Sequence, residues 1–472
     1  MQKRKRRFLR KGENLMMLRT IRLEKAKKAE QQKELTISNA ITRCKLASAE
    51  VIPDINELLQ NNTIGNLVDS LGRDNKKKIR AESADALAHI ASGSSEHSNL
   101  IAKAGAVPRL IRLLQSSDPE VCEKGILSLG NLLHFAPNLR DFIISHGFVQ
   151  KLISLIQDKS TSTVILSHLT WVLRKLCISP QPSPPDDLAG ILQALNILLY
   201  NPEAKILEDS LMAVRNLAHG SDMIQILLGT EVVPRIIYLL EHNDVMVQKA
   251  AVQALRNIAS GSEEQIQELL KNNLLPHISA LMSHTDADIR SQVLWLLQNI
   301  ADGNHFHRQA IMNAGLLPKI LENLKAEAIP LKCAAALTIT MLAIDKDKNL
   351  LCYLMRQGVI PEFCNLLFYE DNEVICNLLH VLSTMLDVDP SFTAEVTGII
   401  EWSGALNNIK MLQSNENEEI SQVARKMISD YFSGTQPHIA TKFKCVQHNV
   451  LESSLFIYLC TFAAKFQNIC YI

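Results

Sequence analysis

Trp295 and Asn299 stand four residues apart in the stretch ADIRSQVLWLLQNIADGNHFHRQAIMNAGLLPKIL, Ala287 to Leu321, so on a helix they share one face, one turn apart. An indole beside a carboxamide suits the binding of an extended peptide. The amide offers donors and an acceptor to a peptide backbone, and the ring offers an apolar wall and a π-face to the stem and ammonium of a lysine. The amide half of the pair belongs to a ladder, His89, Asn131, Lys175, Asn216, Asn257, Asn299 and Thr340, with steps of 41 to 44 residues. The ring half recurs at Trp171 and is replaced by Asp85, Leu127, Met212 and Ala336 at other rungs. Any single Asn can instead bond to a neighbouring backbone, and a lone Trp can be packing; it is the row that points to peptide recognition. Lys175, at one rung, would repel a basic peptide.

The elements that position this row follow from periodicity. Val293, Leu294, Leu297 and Ile300 give the Trp295 helix its apolar residues. A short helix follows Gly303, Gly315 marks a break, and Pro318 lies near the start of another helix, where its fixed φ and missing N–H do no harm. Three helices make one unit. A second ladder, Pro108, Gln150 in place of proline, Pro234, Pro276, Pro318 and Pro361, runs in phase with the first, with steps of 42 or 43 residues and one unmarked step near Leu192. That period lies in the armadillo/HEAT range, and the glycine between the first two helices, at Gly105, Gly147, Gly315 and Gly358, favours armadillo. The expected fold is all-α, a right-handed armadillo-repeat superhelical solenoid of about nine repeats between roughly residues 65 and 432.

Composition agrees. A chain of 472 residues is too long for one ordinary core, and 47% hydrophobic with only 5% aromatic residues suits stacked Leu/Ile/Ala helices. The net charge of zero hides an asymmetry: residues 1–35 hold thirteen Lys/Arg against four Glu, a net of +9, which leaves −9 on the remainder. Such a head is a flexible basic arm suited to an acidic surface. The ten cysteines are scattered, with no C-x-x-C pair and no Cys/His cluster at metal spacing, so reduced core thiols are expected and no metal or other cofactor. No apolar signal core opens the chain, which points to the cytoplasm or nucleus.

Catalysis is not expected. His134, His305 and His307 fall in inter-helix turns without a nucleophile or ligand partner, and no Gly-rich loop follows a strand. Nucleic-acid binding is not expected either, because the basic head has one aromatic, Phe8, and no recognised fold. The ending NVLESSLFIYLCTFAAKFQNICYI is apolar, but its uninterrupted stretch, Leu455 to Ala464, is half of the ~20 residues needed to span a bilayer. A tail lying on the last repeat is expected rather than membrane contact.

Several stretches resemble one family. SADALAHIASGSSEHSNLIAKAGAVPRLIRLL is similar to the armadillo repeat of importin-α, and Phe8 to Gly12 with Leu23 to Gln31, apart from Glu24, are similar to that family's importin-β-binding segment. Trp171 to Cys177 matches W-x-L-x-x-L-C, and the proline-bearing stretch SPQPSPPDD, Ser179 to Asp187, follows as an inserted loop. GALNNIKMLQSNENEEISQVARKMISDYF resembles the last repeat, so the resemblance runs from about Lys5 to Phe432.

The resemblance implies a nuclear import adaptor. Lys5, Arg6, Arg7, Phe8, Lys11, Arg19, Arg22, Lys25, Lys27 and Lys28 would bind importin-β. His89, Gly93, Asn131, Trp171, Asn216, Asn257, Trp295 and Asn299 would line the groove for nuclear-localisation-signal peptides of cargo proteins, with Ser98 fitting the loop beside Gly93. An export receptor at the C-terminal repeats and residence in both cytoplasm and nucleus are further implications. Departures are specific: the arm's arginine-rich middle is shortened, Leu35–Asn39 replaces a second basic cluster, Phe135 stands where the family has an Asp, and Cys333 where it has a Glu. Two readings therefore stand, an adaptor whose remaining recognition centres on Trp295, and an armadillo scaffold that no longer reads such signals. The expected organisation is an arm over residues 1–39, an irregular lead-in with a partial first repeat over 40–80, repeats over 81–432 and a divergent tail over 433–472.

Overall fold

A computed structural model describes residues 24–25, 27–28, 31–32, 34–39, 41–42, 62–73, 76–178, 185–369, 371–388 and 390–433. Among these the chain forms helices and turns and no strands, and the helices follow the armadillo order of two short helices and a longer third. Nine third helices stand among the described residues: Lys77–Ala91, Pro119–Phe135, Thr163–Leu176, Ala204–Leu217, Val245–Ile258, Ala287–Asp302, Ile329–Leu342, Asn372–Val388 and Glu418–Met427. The fold is all-α and of armadillo type. It divides into two compact units, Met1–Ile236 with Asp244–Ala254, and Ile237–Asn243 with Leu255–Ile472.

Local chemistry sets the boundaries. Asp118 caps a third helix by accepting from the Glu120 N–H, with Pro119 at the first helical position; Asp286 accepts likewise from Asp288. The short helices Glu263–Lys271 and His305–Asn313 open with reciprocal capping boxes, Ser262/Gln265 and Asn304/His307. Between first and second helices the chain turns through a left-handed residue at Gly105, Gly147, Gly315, Gly358 and Gly404, a conformation open to glycine without a Cβ clash, and Asn273 takes that role once.

In the first unit Lys77–Ala91 packs on Pro119–Phe135, that helix on Thr163–Leu176, and that one on Ala204–Leu217; in the second Ala287–Asp302, Ile329–Leu342, Asn372–Val388 and Glu418–Met427 pack in the same succession. Their seams are apolar and closely fitted, with Ala84, Leu87, Leu129 and Leu173 buried in one unit and Leu294, Leu297, Ala335 and Ile339 in the other. Each such Leu or Ile contributes roughly 1.5–3 kcal/mol by leaving water. The residue after three of the ladder prolines, Pro108, Pro234 and Pro318, adds a polar clamp. Arg109 donates to the Val68 carbonyl at 3.0 Å, Arg235 to Leu199 at 2.9 Å and Lys319 to Ser279 at 2.5 Å, each placing a cation at the carboxyl end of the preceding repeat's second helix.

Two expectations change in detail. The proline stretch does not hold off helix as far as Asp187: the helix Pro185–Leu198 begins inside it, because a proline is tolerated at a first helical position. His134 lies in the last helical turn of Pro119–Phe135, and His305 and His307 in the first turn of His305–Asn313. The described residues between 24 and 42, from the arm into the start of the lead-in, are helical. Ile37 and Ile41, one turn apart, are buried, and Glu34 pairs with Arg73 at 3.5 Å and with Lys76. Most of the arm and the whole tail after Ser433, including Leu455–Ala464, lie outside the described residues. No helix among the described residues is long and apolar enough to cross a membrane.

One clamp joins successive repeats of the second unit. Arg308, nearly buried, holds Asp345 through Nε–Oδ2 at 2.8 Å and Nη2–Oδ1 at 2.6 Å while its Nη1 donates to the Ala301 carbonyl at 2.8 Å, and His305 Nδ1 lies 2.8 Å from Asp345 Oδ2. Hydrogen bonds from the Arg308 guanidinium, opposed by partial burial and aided by His305, pull the Asp345 carboxyl down to about 2. A carboxylate held down on folding adds stability above its unfolded value of about 3.9, and that contribution disappears as pH falls through about 2. Asp345→Asn should therefore lower the unfolding free energy at pH 7 by about 1–2 kcal/mol, and the deficit should close between about pH 4 and 2. Urea unfolding across that range checks it; a deficit independent of pH would contradict the clamp.

Candidate functional site

In the first unit the row of candidate residues is present, and its Asn131 and Asn216 amides each give one N–H to the chain's own backbone. His89 is exposed in the last turn of its helix, with Nδ1 2.8 Å from the Asp85 carbonyl, and Asp85 itself pairs with Lys124 at 2.8 Å. Gly93 lies in the following turn, and Ser98 is buried with its hydroxyl donating to the Ala91 carbonyl at 3.0 Å. Asn131 Nδ2 donates to the Ala88 carbonyl at 2.9 Å and Asn216 Nδ2 to the Arg174 carbonyl at 3.2 Å, each reaching the preceding third helix. Both amides act as stitches between repeats.

Trp171 is half-buried and lies on glycine. A Cβ added at Gly130 would meet Trp171 Cζ3 at 2.0 Å and Val172 Cγ2 at 2.8 Å, so the ring occupies the space that the missing side chain leaves on the neighbouring helix. Lys175 Nζ stands 5.9 Å from the centre of the same ring. Desolvation, followed by the like charge of Arg174, lowers the Lys175 pKa, while the Asp209 carboxylate works the other way. Asp209 is fully buried and shared by Arg174 at 2.9 Å and Lys205 at 3.4 Å. The surroundings of Trp171 are thus cationic, as Lys175 foretold, and its carboxylate is already paired.

The second unit holds a different arrangement. Trp295 and Asn299 line a cleft of about 470 Å³ together with Arg256, Gln298, Cys333, Tyr369, Asp371 and Glu373. Both candidate residues are half-buried. Asn299 Nδ2 donates to the Arg256 carbonyl at 2.9 Å, which leaves the amide a second N–H and an oxygen to offer. The Arg256 guanidinium sits 5.5 Å from the Trp295 ring centre and donates to Gln292 Oε1 at 3.0 Å. Asn257, also half-buried, is on the helix Val245–Ile258 next to Arg256 and does not line this cleft.

The cleft's acids were not foreseen. Cys333, at the position where an acid was sought, is buried, and its thiol is pushed up first by burial and then by the Asp371 carboxylate, so it brings no charge. Charge comes instead from Asp371 and Glu373, both exposed, at the start of the helix Asn372–Val388. Asp371 Oδ1 accepts from the Glu373 N–H at 2.9 Å and the Val374 N–H at 3.4 Å, the ordinary work of a helix cap. The only signal available was an Asp ahead of a third helix, which reads as a cap.

Of the basic-arm residues, Lys25, Lys27 and Lys28 are exposed on helical backbone; Lys5, Arg6, Arg7, Phe8, Lys11, Arg19 and Arg22 lie outside the described residues. The described cysteines are free thiols: Cys122, Cys177, Cys333 and Cys364 are buried, while Cys352 and Cys376 are half-buried rather than in the core.

Residues 46–456 match the family model described as Kinesin-associated protein (KAP). The chain is also similar to Importin subunit alpha-3 of Arabidopsis thaliana, 33% identical over 222 residues, a match covering 47% of this chain and 42% of that protein, so it spans less than half of that relative's length. Similarity to Importin subunit alpha-1b of Oryza sativa subsp. japonica is 29% over 398 residues, covering 82% of this chain and 74% of that protein. Among solved structures, an engineered protein aligns with a TM-score of 0.71 at 24% identity, covering 85% of this chain and 96% of that one, a likeness of fold.

The packing of Trp171 has a measurable consequence. Trp171→Ala should lower stability by roughly 2 kcal/mol through the cavity it leaves, and Gly130→Ala should lower it by forcing the ring off its seat. Chemical denaturation monitored by far-ultraviolet dichroism checks both; midpoints unchanged in both variants would show that the ring is a free wall.

Proposed function

Because the chain belongs to the family described as Kinesin-associated protein (KAP) and is a divergent relative of the importin α subunits, we propose that it is an adaptor that receives a basic peptide segment in the cleft beside Trp295. The observation that carries this reading is the meeting of Trp295 and Asn299 with two exposed carboxylates, Asp371 and Glu373, in one cleft. A lysine of an extended segment can lay its stem along the indole and direct its ammonium towards the carboxylates, while the segment's backbone bonds to the Asn299 amide. The chain is a binding protein and not an enzyme, in keeping with its importin α relatives.

In this reading the basic arm engages importin-β, the cargo carries a nuclear localisation signal, and the protein works in both cytoplasm and nucleus; an export receptor at the C-terminal repeats belongs to the same reading. Affinity for the peptide is modest. Arg256 competes for the Trp295 ring, and one desolvated cation–π contact contributes only about 2 kcal/mol. A second reading, an armadillo scaffold that does not take basic signals, is favoured in the first unit by Lys175 beside Trp171.

Calorimetric titration with a lysine-rich signal peptide separates the two. Trp295→Ala should weaken binding by about tenfold or more, and Asp371→Asn with Glu373→Gln should weaken it and flatten its salt dependence. Arg256→Ala should strengthen it by removing a like charge, and Trp171→Ala should leave it within about twofold. Equal loss at both tryptophans, or loss at Trp171 alone, would overturn the assignment of the cleft. Removal of residues 1–39 should abolish salt-sensitive binding to importin-β; unchanged binding would end the adaptor reading at its first step.

A further inference from the structure

Away from the cleft, three side chains with metal-ligand chemistry converge on the seam between two third helices of the second unit. Cys376 and His380 lie four residues apart on Asn372–Val388 and so share a face, and Glu419 comes from the first turn of the adjacent helix Glu418–Met427. One donor atom from each, the Cys sulfur, a His ring nitrogen and a Glu carboxylate oxygen, lies within 4.8 Å of the others. His380 Nε2 stands 3.1 Å from Glu419 Oε1. Cys376 is half-buried, and the other two are exposed, so an ion can enter from solvent.

We propose that Cys376, His380 and Glu419 form a binding site for a borderline-soft divalent cation of the zinc type. The donor set makes that choice. Thiolate and imidazole select zinc or cobalt over magnesium and calcium, which take oxygen ligands. A tetrahedral zinc with bonds of about 2.0–2.3 Å needs its donors roughly 3.3–3.8 Å apart, so side-chain rotations that bring the sulfur in by about 1 Å and part His380 Nε2 from Glu419 Oε1 by a few tenths of an ångström complete the set, with water as fourth ligand. A thiolate and a carboxylate together balance the ion's two charges.

The surroundings already orient the ligands. Glu419 is fixed at its backbone by the Asn417 cap, whose Oδ1 accepts the Glu419 N–H at 3.0 Å, and its carboxylate is aimed at His380. Without the ion, burial and the Glu419 carboxylate raise the Cys376 pKa and keep the proton on sulfur. Binding forms the metal–sulfur bond as that proton leaves for solvent, with no change of oxidation state. The bound ion would bridge the two helices, so it should stabilise the repeats that carry them. This inference stands apart from the peptide reading, because none of the three residues lines the Trp295 cleft.

Cobalt(II) titration of the full chain under a thiol-free reductant tests it. The expected result is a sulfur-to-cobalt charge-transfer band that saturates at one equivalent and disappears when zinc is added. Cys376→Ser should abolish the band, His380→Gln and Glu419→Gln should each weaken binding on the order of tenfold or more, and Cys352→Ser, another half-buried free thiol, should change nothing. Zinc should also raise the melting midpoint of the native chain but not that of Cys376→Ser. No band in the native chain, a band that survives Cys376→Ser, or unchanged affinity in both His380→Gln and Glu419→Gln would each overturn the site.

Discussion

The structure depends on one recurring bond, in which a polar side chain on a third helix donates to a main-chain carbonyl of the third helix one repeat earlier. Ser128 reaches Ala84 at 2.6 Å, Asn131 reaches Ala88 at 2.9 Å, Asn216 reaches Arg174 at 3.2 Å, Asn299 reaches Arg256 at 2.9 Å and Thr338 reaches Leu294 at 3.1 Å. A helical carbonyl has two lone pairs and gives one to its own helix, so the second can take a neighbour's N–H or O–H without breaking a turn. Each bond contributes only about 1 kcal/mol net. Their larger effect is on register: the donor meets its acceptor at one axial setting, and small residues such as Ala84, Ala88 and Gly130 let the helices approach closely enough for it.

That bond also explains why the fold was legible in the sequence while the site was legible only in part. Most repeats present the same kind of donor, a left-handed glycine and an early proline at the same interval, because each unit meets a similar neighbour. The ladders of Asn, Gly and Pro are the written form of that contact. The same residues do not decide function, since an Asn placed to stitch a repeat and an Asn placed to hold a peptide stand at the same rung. In the fold the Asn131, Asn216 and Asn299 amides each give an N–H to a backbone carbonyl.

What the sequence hid lies at large separations. Asp371 and Glu373 come from 72 and 74 residues beyond Asn299, and as a cap and a first-turn acid they have an adequate local explanation. Glu419 is 39 residues beyond His380, so no local spacing rule joins it to Cys376. Trp171 was legible as packing, yet its seat on Gly130 required knowing which glycine faces which ring.

Electrostatics separates the chemistry of the two units. In the first, Asp85 is paired with Lys124, Asp209 is shared by Arg174 and Lys205, and Lys175 adds a further positive charge beside Trp171. In the second, two exposed carboxylates face a cleft whose guanidinium is tied to Gln292 and to the Trp295 ring. At a separation of 4 Å and an effective dielectric of 20, one unit charge acts on another with about 4 kcal/mol before screening. A lysine beside Trp171 would meet repulsion of that order from Lys175, and one beside Trp295 would find attraction from Asp371 or Glu373 partly offset by Arg256. The sign of the nearest uncommitted charge, rather than the number of tryptophans retained, therefore decides which rung of the row can hold a cation.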